Sequence, residues 1–352
     1  MKRIELFTKP TQTKLRVLAP ESAISVYLPE QYRVYQRVGT TGDIYIIGYY
    51  RGTGGIIEAR FNGGTWTEIS AKIGPGEFRS TLAGQAQGQG DLEFRMADFP
   101  DDVLETVADI GVGDIYVIAG QSNASGRGDA AQAYTHTTLK AASFGNDYRW
   151  HELADPVDTG KDGTTISQVD PISYDPTAGG SVWPLVATEI MADQGVPVAF
   201  VPCARGGTTI QEWQPATNHQ DRATLYGSCL YRILQVGGAR AILWWQGESD
   251  ALDSMIQATY NTYLDTLANA LYADSGIKLM PCKMQNSVGL TNEQAAPIWS
   301  AVAEAWADNA NVLAGPDLSG ITSDDDFHLR VNAKLESAAA LWWDAIEALL
   351  YS

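Results

Sequence analysis

The sequence predicts an α/β protein whose larger part is a three-layer α/β/α domain with a parallel sheet, preceded by a small antiparallel β-sandwich. Up to about residue 96, short segments of alternating polarity are separated by glycines, which is typical of antiparallel sheets. After about residue 103, near-continuous apolar strands alternate with amphipathic helices, as a parallel sheet covered on both faces requires. We therefore assign residues 1–105 to the β-sandwich and residues 106–352 to the α/β domain.

The predicted strands of the first part are short, and a hairpin joins two of them. Asn62 and Gly63 indicate the hairpin, because both tolerate the positive φ angles of tight turns and they lie between "IEARF" and "TWTEI". The other segments that predict strands are "KLRVLA", "AISVYL", "DIYIIGYY", "EFRSTL" and "DLEFRM".

The second part begins with the predicted strand "DIYVIAG", which ends at Gly120. Residues 128–180 then follow neither pattern, and an irregular insertion of this length in a compact domain is usually either functional or wrongly assigned. We expect it to overhang the site. The later predicted strands, each separated from the next by a helical segment, are "PVAFVPCA", "RAILWWQG", "IKLMPCKM" and "NVLAGP".

Composition and charge exclude several classes of function. Of the 352 residues, 45% are hydrophobic and 19% are charged, so we expect a folded core and not disorder. The formal net charge of −18 would repel a phosphate backbone, so nucleic acid is not an expected partner. No apolar run reaches the length of about 18 residues that predicts a membrane span, and the N-terminal segment lacks the apolar core of a secretory signal. We expect no membrane partner, no metal and no cofactor.

The candidate site lies where the predicted parallel strands end, because open parallel sheets bind ligands at that edge. Gln121, Ser122 and Asn123 follow the first strand. "ARGGT" follows the second strand, "QGESD" follows the third, and "DDDFH" precedes the last helix. These four segments are the expected sources of catalytic groups.

A serine becomes a nucleophile when a neighbouring base takes its proton, and a carboxylate usually orients that base. For Ser122 the best base is His328, which follows an acidic triplet directly before the last helix. The other three histidines lie in the irregular insertion or in a polar run: His136, His151 and His219. Asp325 is the expected orienter of His328, with Asp324 and Asp326 as alternatives.

Ester hydrolysis also needs donors for the developing oxyanion, each worth roughly 10² to 10³ in rate. The backbone N–H groups of Ser122 and of a glycine in "RGGT" are candidates, since glycine lets a substrate approach the chain closely. The amide of Gln246 is a third candidate. Gln246 ends the apolar strand "AILWW", where a buried amide without a partner would be costly, so a role as oxyanion donor would explain it.

Each of these features also has a purely structural explanation. Ser122 would serve as a helix cap, and the two glycines of "RGGT" would form an ordinary turn. Gln246 and Glu248 would satisfy loop amides and begin a helix. The acidic triplet with His328 would be a solvated loop that caps the last helix. Coincidence at four strand ends together is the weaker explanation.

Four motifs in order, "GQSNASG", "PCARGGTTIQEW", "WWQGESDA" and "DDFHLR", resemble the sialate O-acetylesterase-like branch of the SGNH hydrolases. This branch includes carbohydrate esterases that remove acetyl groups from xylan and similar glycans. The resemblance extends from about residue 114 to the C-terminus and implies a flavodoxin-like fold.

The resemblance also implies a role for individual residues. It implies Ser122 as nucleophile and, for its second motif, Gly206 as an oxyanion donor, with Gly207 as the alternative. Gln246 takes the place of the asparagine of the general SGNH pattern, as a further oxyanion donor. The terminal Asp-x-x-His implies Asp325 and His328 as orienter and base. Residues expected to support the site are Gln121, Asn123, Arg205, Gly207 and Glu248.

The expected function is that of a serine esterase, which removes O-acetyl groups from a glycan or polysaccharide through an acyl-enzyme intermediate. Two alternatives remain: an SGNH esterase for a lipid or small-molecule ester, and a non-catalytic glycan-binding or virion protein. The β-module and the acidic composition favour an extracellular or virion-associated protein, while a cytoplasmic location stays open. The oligomeric state is left open.

Overall fold

A computed structural model of the protein describes residues 4–9, 12–17, 23–52, 55–70, 74–158, 170 and 172–351. The chain divides into two compact units, the first formed by Met1–Arg33 with Arg37–Val112 and the second by Val34–Gln36 with Gly113–Ser352. The main boundary between the units thus falls after residue 112, whereas the sequence predicted it after residue 105.

The first unit is built from antiparallel strand pairs. One sheet has the strand order β3-β5-β8, β1 pairs with β2, and β6 pairs with both β7 and β9. The hairpin predicted at Asn62 and Gly63 is confirmed, since both residues have positive φ angles between the paired β6 and β7. The strand bounds are β1 Ile4–Lys9, β2 Gln12–Val17, β3 Ala23–Leu28, β5 Thr41–Arg51, β6 Ile57–Phe61, β7 Thr67–Glu68, β8 Gly76–Ala86 and β9 Gly88–Met96.

One long strand, β10 (Val103–Gly120), pairs with β9 through its first half and belongs to the second unit through its second half. The short β4 (Val34–Gln36) also belongs to the second unit. The remaining strands of that unit are β11 Ala142–Phe144, β12 Trp150–Glu152, β13 Val198–Pro202, β14 Ala241–Trp245 and β15 Leu279–Pro281.

The sheet of the second unit has the order β12-β11-β13-β10-β14-β15, and all neighbours are parallel except β11 and β12. The sheet is therefore mixed, which corrects the prediction of a wholly parallel sheet. The cause is the connection between β11 and β12, residues 145–149, because a parallel pair needs a crossover of about a dozen residues. All residues of β13, β14 and β15 are buried.

The helices of the second unit are α1 Ser122–Ser125, α2 Trp183–Gln194, α3 Leu225–Val236, α4 Glu248–Leu252, α5 Gln257–Ser275, α6 Asn292–Asp308 and α7 Asn332–Leu350, with a 3₁₀ helix at Ile210–Trp213. Helix α2 packs against α7, and α5 packs against α3 and α6. In the part of the chain that the structure describes, none of these helices is long and apolar enough to cross a membrane.

An aromatic cluster anchors the loop that follows β10. The ring of Trp183 lies 5.8 Å from that of Phe200 and 5.5 Å from that of Trp342. The indole N–H of Trp183 donates to the carbonyl of Ala124 in α1 over 2.7 Å. Burial of such large rings stabilises the fold strongly. Helix α1 is therefore tied to a buried aromatic cluster.

The strands end on the loops that carry the candidate residues. Gly120 closes β10 with a φ of 120°, and a Cβ there would lie 2.1 Å from the carbonyl oxygen of Trp245. Only glycine fits this close approach of β10 to β14. The loops after β10 and β14 are thereby brought side by side.

Candidate active site

The structure brings Ser122, His328 and Asp325 together as the sequence predicts. The hydroxyl oxygen of Ser122, at the start of α1, lies 3.0 Å from Nε2 of His328. Nδ1 of His328 lies 3.1 Å from Oδ1 and 3.2 Å from Oδ2 of Asp325. A serine, an imidazole and a carboxylate in such a chain can transfer the serine proton to the ring.

The loop itself fixes Asp325 as an anion. Its Oδ1 accepts the backbone N–H groups of Phe327 at 2.9 Å and His328 at 2.7 Å. Burial raises the pKa of the Asp325 carboxyl, but these two N–H groups and the His328 ring outweigh burial and bring the pKa to about 2.

The alternative orienter Asp324 has a different role. Its carboxylate accepts the N–H groups of Arg330 at 2.7 Å and Val331 at 3.1 Å, and it pairs with Lys334 at 2.6 Å. Asp324 thus holds the entry into α7.

Gly206 lies beside the serine, but its N–H group already has an acceptor. A Cβ on Gly206 would lie 3.5 Å from the Cβ of Ser122, so the two loops are in contact. The N–H of Gly206 donates to Oδ2 of Asp175 at 2.9 Å, and Arg127 donates to the same oxygen at 2.5 Å. Gly207, with a φ of 76°, forms the turn that follows.

Asp175 belongs to the irregular insertion and was not among the predicted residues. Burial raises the pKa of its carboxyl, but the hydrogen bond and charge of Arg127 outweigh burial and hold the pKa below its ordinary value. The carboxylate is therefore ionised at neutral pH, beside the N–H group that the sequence assigned to the oxyanion.

Gln246 holds three loops together from a fully buried position. Its Nε2 donates to Oε1 of Gln121 at 3.2 Å, to the carbonyl of Thr208 at 3.1 Å and to the carboxylate of Asp250. Its Oε1 accepts the hydroxyl of Tyr260 at 2.8 Å. The oxyanion role predicted for Gln246 is at odds with this placement, because acceptors inside the protein already use both of its N–H groups.

Asp250 is a second residue that the sequence reasoning missed, although it stands in "QGESD". Its carboxylate accepts the N–H of Ile210 at 3.1 Å and the amide of Gln246. Burial raises the pKa of Asp250 to about 6, against the opposing hydrogen bond from Gln246. The signal available in the sequence was its place in the first turn of the predicted helix, directly after the strand end that carries Gln246.

The other predicted supporting residues tie the serine loop to its neighbours. Oε1 of Gln121 accepts the N–H groups of Gly247 and Ser249, each at 3.3 Å. Nδ2 of Asn123 donates to Oε1 of Glu248 at 2.6 Å. Burial raises the pKa of the Glu248 carboxyl, opposed by hydrogen bonds from Gln285 and Asn123.

Some of these groups border a cavity of about 610 Å³. Its floor carries Ser122 and His328, and the guanidinium of Arg205 is fixed to the carbonyl of Ile172 at 2.9 Å. The insertion contributes one wall, as the sequence predicted, with Tyr174, Asp175, Pro176 and Thr177. The rest of the lining consists of Gln121, Arg127, Arg205, Gly206, Gly207, Glu248, Ser249, Leu252 and Phe327.

The cavity is lined by both polar and apolar side chains. Among the residues that the structure describes, no group of three or more His, Cys, Asp and Glu side chains is arranged to hold a metal ion. Of the other histidines, His151 lies 2.9 Å from a carboxylate oxygen of Asp147, and His219 lies 2.6 Å from one of Asp274. Neither borders the cavity.

A family model described as "Carbohydrate esterase, sialic acid-specific acetylesterase" matches residues 112–345, which make up most of the second unit. The chain belongs to this family. The predicted membership is confirmed, and the protein is a carboxylic ester hydrolase. Carbohydrate acetylesterase activity is supported at the level of the family.

Individual relatives agree with the family. A probable carbohydrate esterase of Arabidopsis thaliana is 28% identical over 203 residues, covering 51% of this chain and 71% of that protein. The structure of a carbohydrate acetylesterase from Xanthomonas citri matches 94% of this chain and 75% of that one, with a TM-score of 0.58 and 16% identity. A further structure of an Arabidopsis thaliana protein matches 68% and 99% of the two chains, with a TM-score of 0.50 and 21% identity. These structures show a shared mixed α/β fold.

Proposed function

We propose that the protein removes O-acetyl groups from a carbohydrate through a covalent acyl-enzyme, with Ser122 as the nucleophile. The single observation that carries this proposal is the chain from Ser122 Oγ to His328 Nε2 and from His328 Nδ1 to Asp325. The family supplies the ester-hydrolase chemistry and the carbohydrate class.

In the proposed reaction, His328 takes the proton of Ser122 as Oγ attacks the acetyl carbonyl. The C–O bond to the sugar breaks, and the imidazolium returns its proton to the leaving sugar hydroxyl. Water then attacks the acetyl-serine with His328 again as the base, the acyl C–O bond to Ser122 breaks, and the imidazolium returns the proton to Ser122 Oγ as acetate leaves. Asp325 holds the ring and stabilises its charged form throughout.

The N–H groups of Ser122 and Gly206 are the proposed donors to the oxyanion. The Gly206 N–H donates to Asp175 in this structure, so the oxyanion has to share or displace that contact. Gln246 is the weaker third candidate because of its buried partners, and we propose that it mainly holds the loops.

Polar side chains on the cavity wall offer hydrogen-bonding partners to the hydroxyl groups of a sugar. Arg127 and Arg205 lie on its wall, and Asp175 offers an acceptor for hydroxyl groups. Carbohydrates present many hydroxyls and few apolar surfaces, so such groups can bind them without a large apolar slot.

Acetate release from acetylated polysaccharides tests the proposal. Ser122→Ala should lower turnover by at least about 10³-fold, since the nucleophile is lost. Ser337→Ala is the matched control, because that hydroxyl on α7 only donates to the carbonyl of Ala333. If Ser122→Ala kept near wild-type turnover, Ser122 would not be the nucleophile.

For the architecture, we propose that helices cover both faces of the mixed sheet and that the first unit is a β-sandwich. The packing of α2 on α7, and of α5 on α3 and α6, supports the first statement. The alternating burial of β5 and β8, in which buried side chains occupy one face, supports the second.

A further inference from the structure

The backbone on both sides of His328 is held by one side chain. Asn123 follows the proposed nucleophile, and its Nδ2 donates to the carbonyl of Phe327 at 3.0 Å. Its Oδ1 accepts the N–H of Leu329 at 3.2 Å. Asn123 therefore brackets His328, and it ties the loop before α7 to the loop that begins α1.

A second amide reaches the same carbonyl from another strand end. Gln285 lies after β15, and its Nε2 donates to the carbonyl of Phe327 at 2.8 Å. Its Oε1 accepts the indole N–H of Trp245 at 2.9 Å, which fixes which end of the amide faces the histidine loop. No motif in the sequence points to Gln285.

Glu248 joins the two amides. Its Oε1 accepts Nδ2 of Asn123 at 2.6 Å and Nε2 of Gln285 at 2.9 Å. The two amides and two acceptor oxygens, Glu248 Oε1 and the Phe327 carbonyl, thus close a ring of four hydrogen bonds. Asn123, Gln285 and Glu248 are 4%, 0% and 1% exposed, so water competes little for these bonds.

We infer that Gln285, Glu248 and Asn123 form a hydrogen-bonded ring that positions His328 against Ser122. The inference rests on the proposed function, because it assigns the ring to the base of that reaction. The ring does not touch the His328 imidazole. It fixes the peptide groups on either side, and catalytic groups need placement within about 0.5 Å of the productive geometry.

The test compares Gln285→Met with Gln132→Met by steady-state kinetics on an acetylated chromogenic ester. The concentration of active sites is measured by titrating the reactive serine with a fluorophosphonate, and each rate is divided by that concentration. Methionine keeps the length of glutamine and removes its hydrogen bonds. Gln132 is a matched control, because it is similarly buried and its amide binds Ala130 and Asn332 away from the cavity. We expect Gln285→Met to lower kcat per titrated site about 10- to 100-fold, with KM changed by less than about threefold.

Two further variants separate positioning from folding support. Asn123→Asp keeps the size of the side chain but turns an oxygen toward Glu248 and the Phe327 carbonyl, so kcat should fall at least about tenfold. Glu248→Gln keeps an acceptor for both amides and should lose less kcat than Asn123→Asp. Melting temperatures are recorded for each variant, so that a loss of folded protein is not counted as a loss of rate.

The outcomes distinguish the inference from the proposed function. Wild-type kcat in folded Gln285→Met and Asn123→Asp, with Ser122→Ala inactive, would overturn the ring and leave the proposed function intact. If Gln285→Met does not fold, Asn123→Asp alone decides in the same way. An active Ser122→Ala would instead remove the proposed function, and the ring's assignment with it.

Discussion

The two halves of the candidate site differ in how closely they match the arrangement that the sequence motifs predict. In the half assigned to the proposed nucleophile, Ser122, His328 and Asp325 stand in the expected order at 3.0 to 3.2 Å. In the half assigned to the oxyanion, Gly206 donates to Asp175, and Gln246 donates to acceptors inside the protein. A motif therefore predicts which loops converge better than it predicts which atom a donor faces.

The largest expected effect lies in the first half. His328→Ala should lower kcat by about 10³- to 10⁴-fold, because the variant lacks the base that takes the Ser122 proton in the proposed chain. The ring of His219 faces Asp274, so His219→Ala should keep a kcat near the wild-type value. Steady-state acetate release measures both, and equal rates for the two variants would break the assignment of the base.

The next effect concerns the carboxylate. Asp325→Asn should lower kcat about 10²- to 10⁴-fold, because the neutral amide no longer stabilises the imidazolium. The pKa of Asp325 is depressed to about 2, so its carboxylate is ionised above about pH 4 and protonates only as the pH falls toward 2. The carboxylate is thus ionised at pH 7 to 8, where kcat of Asp325→Asn is compared with the wild type, and equal kcat values there would contradict the role of Asp325.

A smaller loss, of about 10²-fold in kcat, is expected for Gln246→Met. This variant should also change the melting temperature. If Gln246 mainly holds loops, the melting temperature falls too, because Thr208, Asp250 and Tyr260 lose a buried partner, at a cost of about 1–3 kcal/mol each. An unchanged melting temperature would contradict the loop-holding role, whatever the effect on kcat. Thermal unfolding is therefore recorded beside the kinetics.

The smallest effect is expected at Asp175. Asp175→Asn keeps an acceptor for Gly206 but removes a charge beside the proposed oxyanion, so kcat should rise by about threefold. Thr177→Val is a comparison variant, because it removes only a hydroxyl bond to the same carboxylate. A loss of more than tenfold in Asp175→Asn would show that its charge is needed, for substrate or for Arg127.

Much of this molecule was predictable because it follows local rules. Apolar runs identified β10, β13, β14 and β15, and the polar residues at their ends identified the loops that carry Ser122 and Gln246. The antiparallel β12 was missed because its three residues lie in the insertion that was read as irregular.

The missed site residues depend on contacts between distant segments. Asp175 meets Arg127 and Gly206 across 48 and 31 positions of the chain, and Gln285 meets Phe327 across 42. The direction of an amide such as that of Gln246 is set by the acceptors around it, and these become visible only when the loops are assembled.

The central claim is that Ser122 carries the acetyl group between sugar and water. Its most direct test is to let the enzyme turn over an acetylated substrate, to stop the reaction in the steady state, and to map acetylated peptides by mass spectrometry. We predict an acetyl group on Ser122 in the wild type, and none at that position in Ser122→Ala. Acetate release with no acetyl group on Ser122 in the quenched enzyme, together with turnover by Ser122→Ala, would contradict the claim.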